Sequence, residues 1–187
     1  MVKLVNDPNA EVRFSAVLAL RYMGTEAVQA IPALTMALND HATGLRRADN
    51  DMQVRDVAAQ VLGRIGTDAR MAVPGLRRML SDTNAPARQA AMLALWRIEH
   101  DTNLVSQAVA EVDYAPDALT CKRFLEVLGA MRSAATPAVP AVLRAITNSA
   151  RLPNLSTTDV PRAVRTALRK IDPVMAAKFA GPGNQGK

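Results

Sequence analysis

The chain has 187 residues and a mass of 20.0 kDa, with 49% hydrophobic and 21% charged residues and a mean hydropathy of +0.01, which excludes a disordered tail and leaves no run long enough for an apolar membrane span. The single cysteine, Cys121, excludes an internal disulfide and any multi-cysteine zinc site, and the 3% aromatic content argues against stacking platforms for bases or sugars. Net charge is +6 but unevenly spread: residues 1–118 carry 12 Lys and Arg against 14 Asp and Glu, whereas 119–187 carry 11 against 3.

The chain opens MVKLVNDPNAEVR, where a polar turn after five residues leaves no apolar stretch for a secretory signal, so the expected location is cytoplasmic. From there a pattern recurs. GTEAVQAIPAL at 24–34 returns as GTDARMAVPGL at 66–76 and more loosely as SAATPAVPAVL at 133–143. Segments with apolar residues at offsets 0, 4, 7, 8 and 11 begin at Val12, Val54, Ala87, Thr120 and Val160, separated by 42, 33, 33 and 40 residues. That spacing places the apolar positions on one helical face. A 33-residue unit with two insertions, about 39–52 and 147–159, accounts for every interval.

Each unit therefore reads as two helices. Pro32, Pro74 and Pro140 suit a first helical turn, where the missing amide would have been unpaired anyway. Thr25, Thr67 and Ser133 are the expected caps upstream, and Gly24 and Gly66 the expected ends of the preceding helices. Asp49, Asn50 or Asp51 is the expected cap after the first insertion. Residues 1–6 are too short for a complete first helix, which predicts an apolar side left open at that end and either a longer array or a docked surface there.

The aspartate-proline turn with valine-arginine in DPNAEVR, the alanine and leucine periodicity of the second helices, the glycine after them and the proline opening the first helices together resemble HEAT repeats, in particular the short bacterial type of the phycobilisome-lyase group. The resemblance implies an all-α fold, a right-handed α-α superhelix of about four full helix pairs plus a partial N-terminal repeat. Its units would be 1–24, 25–66, 67–99, 100–132 and 133–172, with a capping helix at 173–180 and a disordered tail at 181–187. It further implies that the second helices line the concave surface and that the array serves as a binding scaffold. Arg13, Arg55 and Arg88 recur at one position, and the resemblance implies that they pair with Asp7, Asp51 and Asp82 in a ladder. The ladder should stop where Cys121 and Pro161 take that position.

Chemistry-bearing residues are sparse. His41 with Asp40, Asp49 and Asp51 matches neither zinc nor calcium spacing, so no metal site is expected. Cys121 stands beside Lys122 and Arg123, which would lower its pKa, but no histidine adjoins it and an inert thiol is the simpler account. No nucleophile, base and orienting group assemble, and no phosphate loop is present, so neither enzyme activity nor a cofactor is expected. The basic end offers Lys122, Arg123, Arg162, Arg165, Arg169 and Lys170 as one patch. The leading partner-binding set is Trp96, Arg97, Lys122, Arg123, Arg162, Arg165 and Arg169 on the concave face. The expected role is a noncatalytic scaffold for a protein partner of acidic character. The alternatives are nucleic-acid backbone binding by the same basic end and a bilin-lyase-like subunit working with a second chain.

Overall fold

The computed structural model describes residues 2–43, 52–149 and 159–179. These residues form helices joined by turns, in two compact units, Met1–Asp101 and Thr102–Lys187. The first unit contains α1 (Ala10–Met23), α2 (Ile31–Ala37), α3 (Val54–Ile65), α4 (Val73–Met79) and α5 (Ala85–Glu99). The second contains α6 (Leu104–Asp113), α7 (Ala118–Met131), α8 (Val139–Ser149), α9 (Asp159–Ile171) and α10 (Pro173–Phe179). The tail at 181–187 lies outside the described residues, as do 44–51 and 150–158 of the two insertions.

The predicted periodicity is what the helices bury. In α3 the residues at offsets 0, 4, 7, 8 and 11 (Val54, Ala58, Val61, Leu62 and Ile65) are all buried, and α9 does the same with Val160, Val164, Ala167, Leu168 and Ile171. In the first unit α3 packs between α1 and α5, with α2 and α4 against this row; in the second, α7 packs on α6 and α9, and α10 closes against α9. Fully burying one leucine of such a row contributes about 2 kcal/mol, which is why a single hairpin gains little without its neighbour.

The prolines fall in the first turns, at Pro32 of α2 and Pro74 of α4. The expected cap at Thr67 is not used. A 3₁₀ turn spans Gly66–Ala72, and α4 starts after Ala72 with no side-chain cap. Ser133 likewise lies inside the 3₁₀ turn Arg132–Ala138. The tighter turn supplies partners for amides that a cap would otherwise serve. The side chain of Thr25 lies outside the described residues.

Gly66 closes α3 at φ +80°, as its position predicts. Arg132 takes the same place after α7 at φ +52°, a conformation that strains a side-chain-bearing residue. The cap of α3 is Gln53, whose amide donates to the Asp56 carboxylate at 2.9 Å; Asp49, Asn50 and Asp51 fall among the residues not described. An isolated antiparallel bridge between Thr43 and Gln53 joins the two ends of the first insertion. The opening residues form a 3₁₀ turn, Val2–Asn6, whose Val5 is buried against α1 and α2, so part of the expected open side is covered.

The arginine ladder exists, with Asp82 among its carboxylates as expected and Asp40 in place of Asp7. Arg13 donates from Nε to Asp40 at 2.6 Å and from Nη2 at 3.3 Å, while Nη1 meets the backbone carbonyls of Asp7 and Pro8. Arg55 forms the same fork on Asp82, with Nη2 at 3.1 Å from Oδ1. Each arginine thus reaches 27 residues forward to the turn of the next repeat. Arg88 follows suit on the carbonyls of Asp82 and Thr83.

Burial would raise the Asp40 carboxyl, but the Arg13 guanidinium and the Ala42 amide outweigh it and hold the group below its ordinary 3.8. A carboxyl depressed by folding stabilises the native state above its unfolded pKa and loses that contribution as pH falls through the folded value. Urea unfolding at about pH 6 and at about pH 2.5 should therefore show a larger acid-induced loss for the natural chain than for Asp40→Asn. Equal losses would exclude the Arg13–Asp40 clip as an acid-sensitive tie.

Candidate functional site

In the second unit, α7 begins at Asp117, whose carboxylate accepts the Thr120 amide at 2.7 Å and the Thr120 hydroxyl at 3.2 Å. This cap fixes the direction of a helix that buries Phe124, Leu125, Val127 and Leu128 and leaves Lys122 exposed. Helix α9 buries its apolar stripe and exposes Arg162, Arg165, Arg169 and Lys170. The two helices come close at Gly129, where an added Cβ would lie 3.4 Å from Ala167 Cα.

Between them lies a depression of about 180 Å³ with Gly129, Ala163 and Ala167 among its small residues and Lys122, Arg162 and Lys170 around it, next to Glu126. That volume is below the several hundred Å³ that enclose an organic ligand. It suits one or two side chains of a partner, and three cations against one carboxylate favour acidic ones.

Lys122 and Arg162 from the expected set meet here, joined by Lys170, which belonged to the broader basic patch but not to the leading set. Arg165 and Arg169 are exposed on α9 and lie outside the lining. Arg123 is half-buried and has an interaction of its own within the chain. Trp96 and Arg97 belong to the first unit, at the end of α5. Trp96 is half-buried, its ring centroid 5.2 Å from that of His100 with the planes at 60°. Burial and the neighbouring charge of Arg64 pull the Arg97 guanidinium below its usual value, yet Arg97 remains exposed overall. Arg64 donates to the Arg21 carbonyl at 3.1 Å, satisfying an end carbonyl of α1, and Arg21 donates to Gln60 at 3.1 Å.

Cys121 is 1% exposed, and burial, with Asp113 and Asp117 adding to it, pushes its thiol up to about 11. The lowering that Lys122 and Arg123 would give does not occur, because desolvation of the thiolate dominates. Asp40, part of the His41 cluster in sequence, is taken by Arg13, and among the described residues no three His, Cys, Asp or Glu side chains gather to hold a metal. No helix of the described residues is long and apolar enough to cross a membrane.

Residues 12–40 match the profile of the PBS lyase HEAT-like repeat. The matched stretch runs from the residue before Arg13 to Asp40, the two ends of the first clip. This stretch is a HEAT-like repeat. Among solved structures, a chain in the complex of CpcE and CpcF of phycocyanin lyase from Nostoc sp. PCC7120 is similar to it at 25% identity and a TM-score of 0.63. The alignment covers 95% of this chain and 66% of that one. No curated protein matches the sequence.

Proposed function

We propose that this chain is a binding subunit of a lyase-like assembly, in which it pairs with a second HEAT-repeat chain in the cytoplasm. The observation that carries this reading is the alignment of 95% of the chain with a chain from a two-protein lyase complex. It ranks the lyase-like role above the general scaffold expected from the residues alone, although both assign the chain the same physical work. That work is holding a partner, with the cation-lined depression between α7 and α9 as the contact for acidic side chains. In this reading Cys121, 1% exposed, takes no part in bond-making.

Co-expression with a second lyase-type HEAT-repeat chain and a bilin source tests the reading. A stable complex of the two chains with visible absorbance is expected, weakened by Lys122→Glu with Arg162→Glu. A complex that forms without pigment would return the chain to the general scaffold role. A colourless, unpaired chain that instead binds duplex DNA, with log-linear loss of affinity as salt rises, would replace both with the nucleic-acid reading.

A further inference from the structure

The last turns of α1, α3 and α5 carry Arg21, Arg64 and Arg97, and neutral groups hold the first two in place. Arg21 donates from Nη1 to the side-chain oxygen of Gln60 on α3 at 3.1 Å, with its guanidinium carbon 5.7 Å from the centre of the exposed Tyr22 ring. Arg64 reaches back from α3 to the Arg21 carbonyl at 3.1 Å. An amide, a ring face and a carbonyl orient a guanidinium without cancelling its charge. In the same unit Arg13, Arg55 and Arg77 are each met by carboxylates. Among the described residues no Asp or Glu forms an ion pair with Arg21, Arg64 or Arg97, and Glu99, two residues beyond Arg97, is taken by Arg77 at 2.8 Å.

The fold also brings these charges close. Gly63, the residue before Arg64, lets α3 approach α5 until a Cβ there would stand 2.8 Å from Ala94 Cα, and Arg97 follows Ala94 by three residues. Burial and the Arg64 charge both disfavour the Arg97 cation, and among the described residues Arg97 forms no hydrogen bond or ion pair. Arg21 Nε is buried with no hydrogen-bond partner. The helix dipole favours a cation in each last turn. It gives no reason for Arg64 and Arg97 to converge, because each helix end is served equally well by a side chain turned away from the other into water. Converging like charges cost free energy until an anion joins them.

We infer that Arg64 and Arg97, extended by Arg21, form a docking row for an acidic segment of a protein partner. Charge complementarity selects the carboxylate, which takes two guanidinium donors side by side, and Arg97 offers its donors unshared. The balance of the unit selects a protein over a nucleic acid. Residues 1–101 carry 12 Lys and Arg against 11 Asp and Glu, so the positive field at the row is local. A nearly neutral unit does not concentrate a long polyanion, whose binding draws on the release of many counterions, whereas three cations match the few carboxylates of a protein segment. The row shares no residue with the depression between α7 and α9, and the inference stands apart from the two-chain reading.

The probe is octaglutamate, titrated onto the full chain at about 20 mM salt, where such contacts are least screened. Binding is read by nuclear magnetic resonance at the Nε–H signals of Arg64 and Arg97, which separates the row from the basic residues of the second unit. Both signals should shift with one isotherm. Arg97→Gln should weaken the isotherm read at Arg64 about fivefold, and Arg97→Lys, which keeps the charge, should retain most of it. Because Arg97→Gln removes a repelled charge and no hydrogen bond, its urea midpoint should stay level or rise. Signals that do not move at roughly millimolar peptide, or that move equally with octaglutamine, overturn the row. So does an isotherm that Arg97→Gln leaves unchanged, and a lowered urea midpoint with unchanged binding would make Arg97 a packing residue instead. A DNA duplex of about 20 base pairs that moves the same signals at lower concentration than octaglutamate would put a nucleic-acid backbone on the row and overturn the protein occupant.

Discussion

Asp82→Ala should lower the stability of the first unit by about 3 kcal/mol, among the largest losses available from a single polar substitution in this chain. Arg55 is 4% exposed, its Nε sits 4.0 Å from Asp56, and its forked contact with Asp82 supplies the counter-charge from the next repeat. Removing Asp82 leaves the guanidinium buried with that fork gone, and also deletes the Asn84 amide's acceptor. Asp82→Asn retains an oxygen for the amide while removing the charge, so it should cost less, about 2 kcal/mol. Asp7→Asn, in the equivalent turn but without a guanidinium hydrogen-bonded to its carboxylate, should cost less, under about 1 kcal/mol. Trp96, the sole tryptophan, lies in α5 of this unit and reports its unfolding in urea. An Asp82→Asn loss no greater than that of Asp7→Asn would show that the clip contributes nothing. Replacing both partners, as Arg55→Met with Asp82→Leu, should recover most of the loss, because the cost lies in a stranded charge rather than in the missing pair itself.

The helices were legible because burial in a stacked array repeats: the residues at offsets 0, 4, 7, 8 and 11 from Val54 are the ones packed between α1 and α5. The ladder was legible only in part. Three arginines at one position pointed to assembly, and of the turn carboxylates that the resemblance supplied, Asp7, Asp51 and Asp82, only Asp82 is seen to take a ladder arginine's fork among the described residues. A guanidinium reaches farther than a turn, and the next repeat brings Asp40 within 2.6 Å. The signal was available in the pairs Asn6–Asp7, Asn39–Asp40 and Ser81–Asp82, each following a hydrophobic residue, but the insertion after Asp40 obscured the match.

The candidate site was less legible still. Spacing along one helix groups Arg162, Arg165 and Arg169, but the depression is made by two helices, and the small residues Gly129, Ala163 and Ala167 decide which cations line it. Thus Lys170 joins it and Arg165 does not. The inert thiol that was the simpler account of Cys121 has a packing cause that the sequence did not show. Neighbours in sequence suggested a lowered pKa, whereas packing around α7 removes the water that a thiolate needs.

Gly63→Ala and Gly129→Ala should have opposite signs, although both glycines occupy the same offset in their helices. In a helix interior, alanine in place of glycine contributes about 1 kcal/mol through propensity alone. At Gly129 the new methyl would lie 3.4 Å from Ala167 Cα and from Lys170 Cδ, a contact that small adjustments and a flexible lysine accommodate, so Gly129→Ala should gain up to about 1 kcal/mol. At Gly63 it would lie 2.8 Å from Ala94 Cα and 3.1 Å from its Cβ, and the obstacle is backbone in the middle of α5. That cannot rotate away. The helices must separate, weakening the burial of Leu62 and Leu95, and overpacking of this kind costs about 1–3 kcal/mol, enough to overturn the propensity gain. Gly63→Val, which adds two more carbons while gaining less propensity, should lose about 3 kcal/mol or more, read as an earlier urea midpoint of Trp96 fluorescence. Gains of equal size at both glycines would mean that neither contact limits helix approach, and that the positions reflect composition rather than the distance at which successive repeats stack.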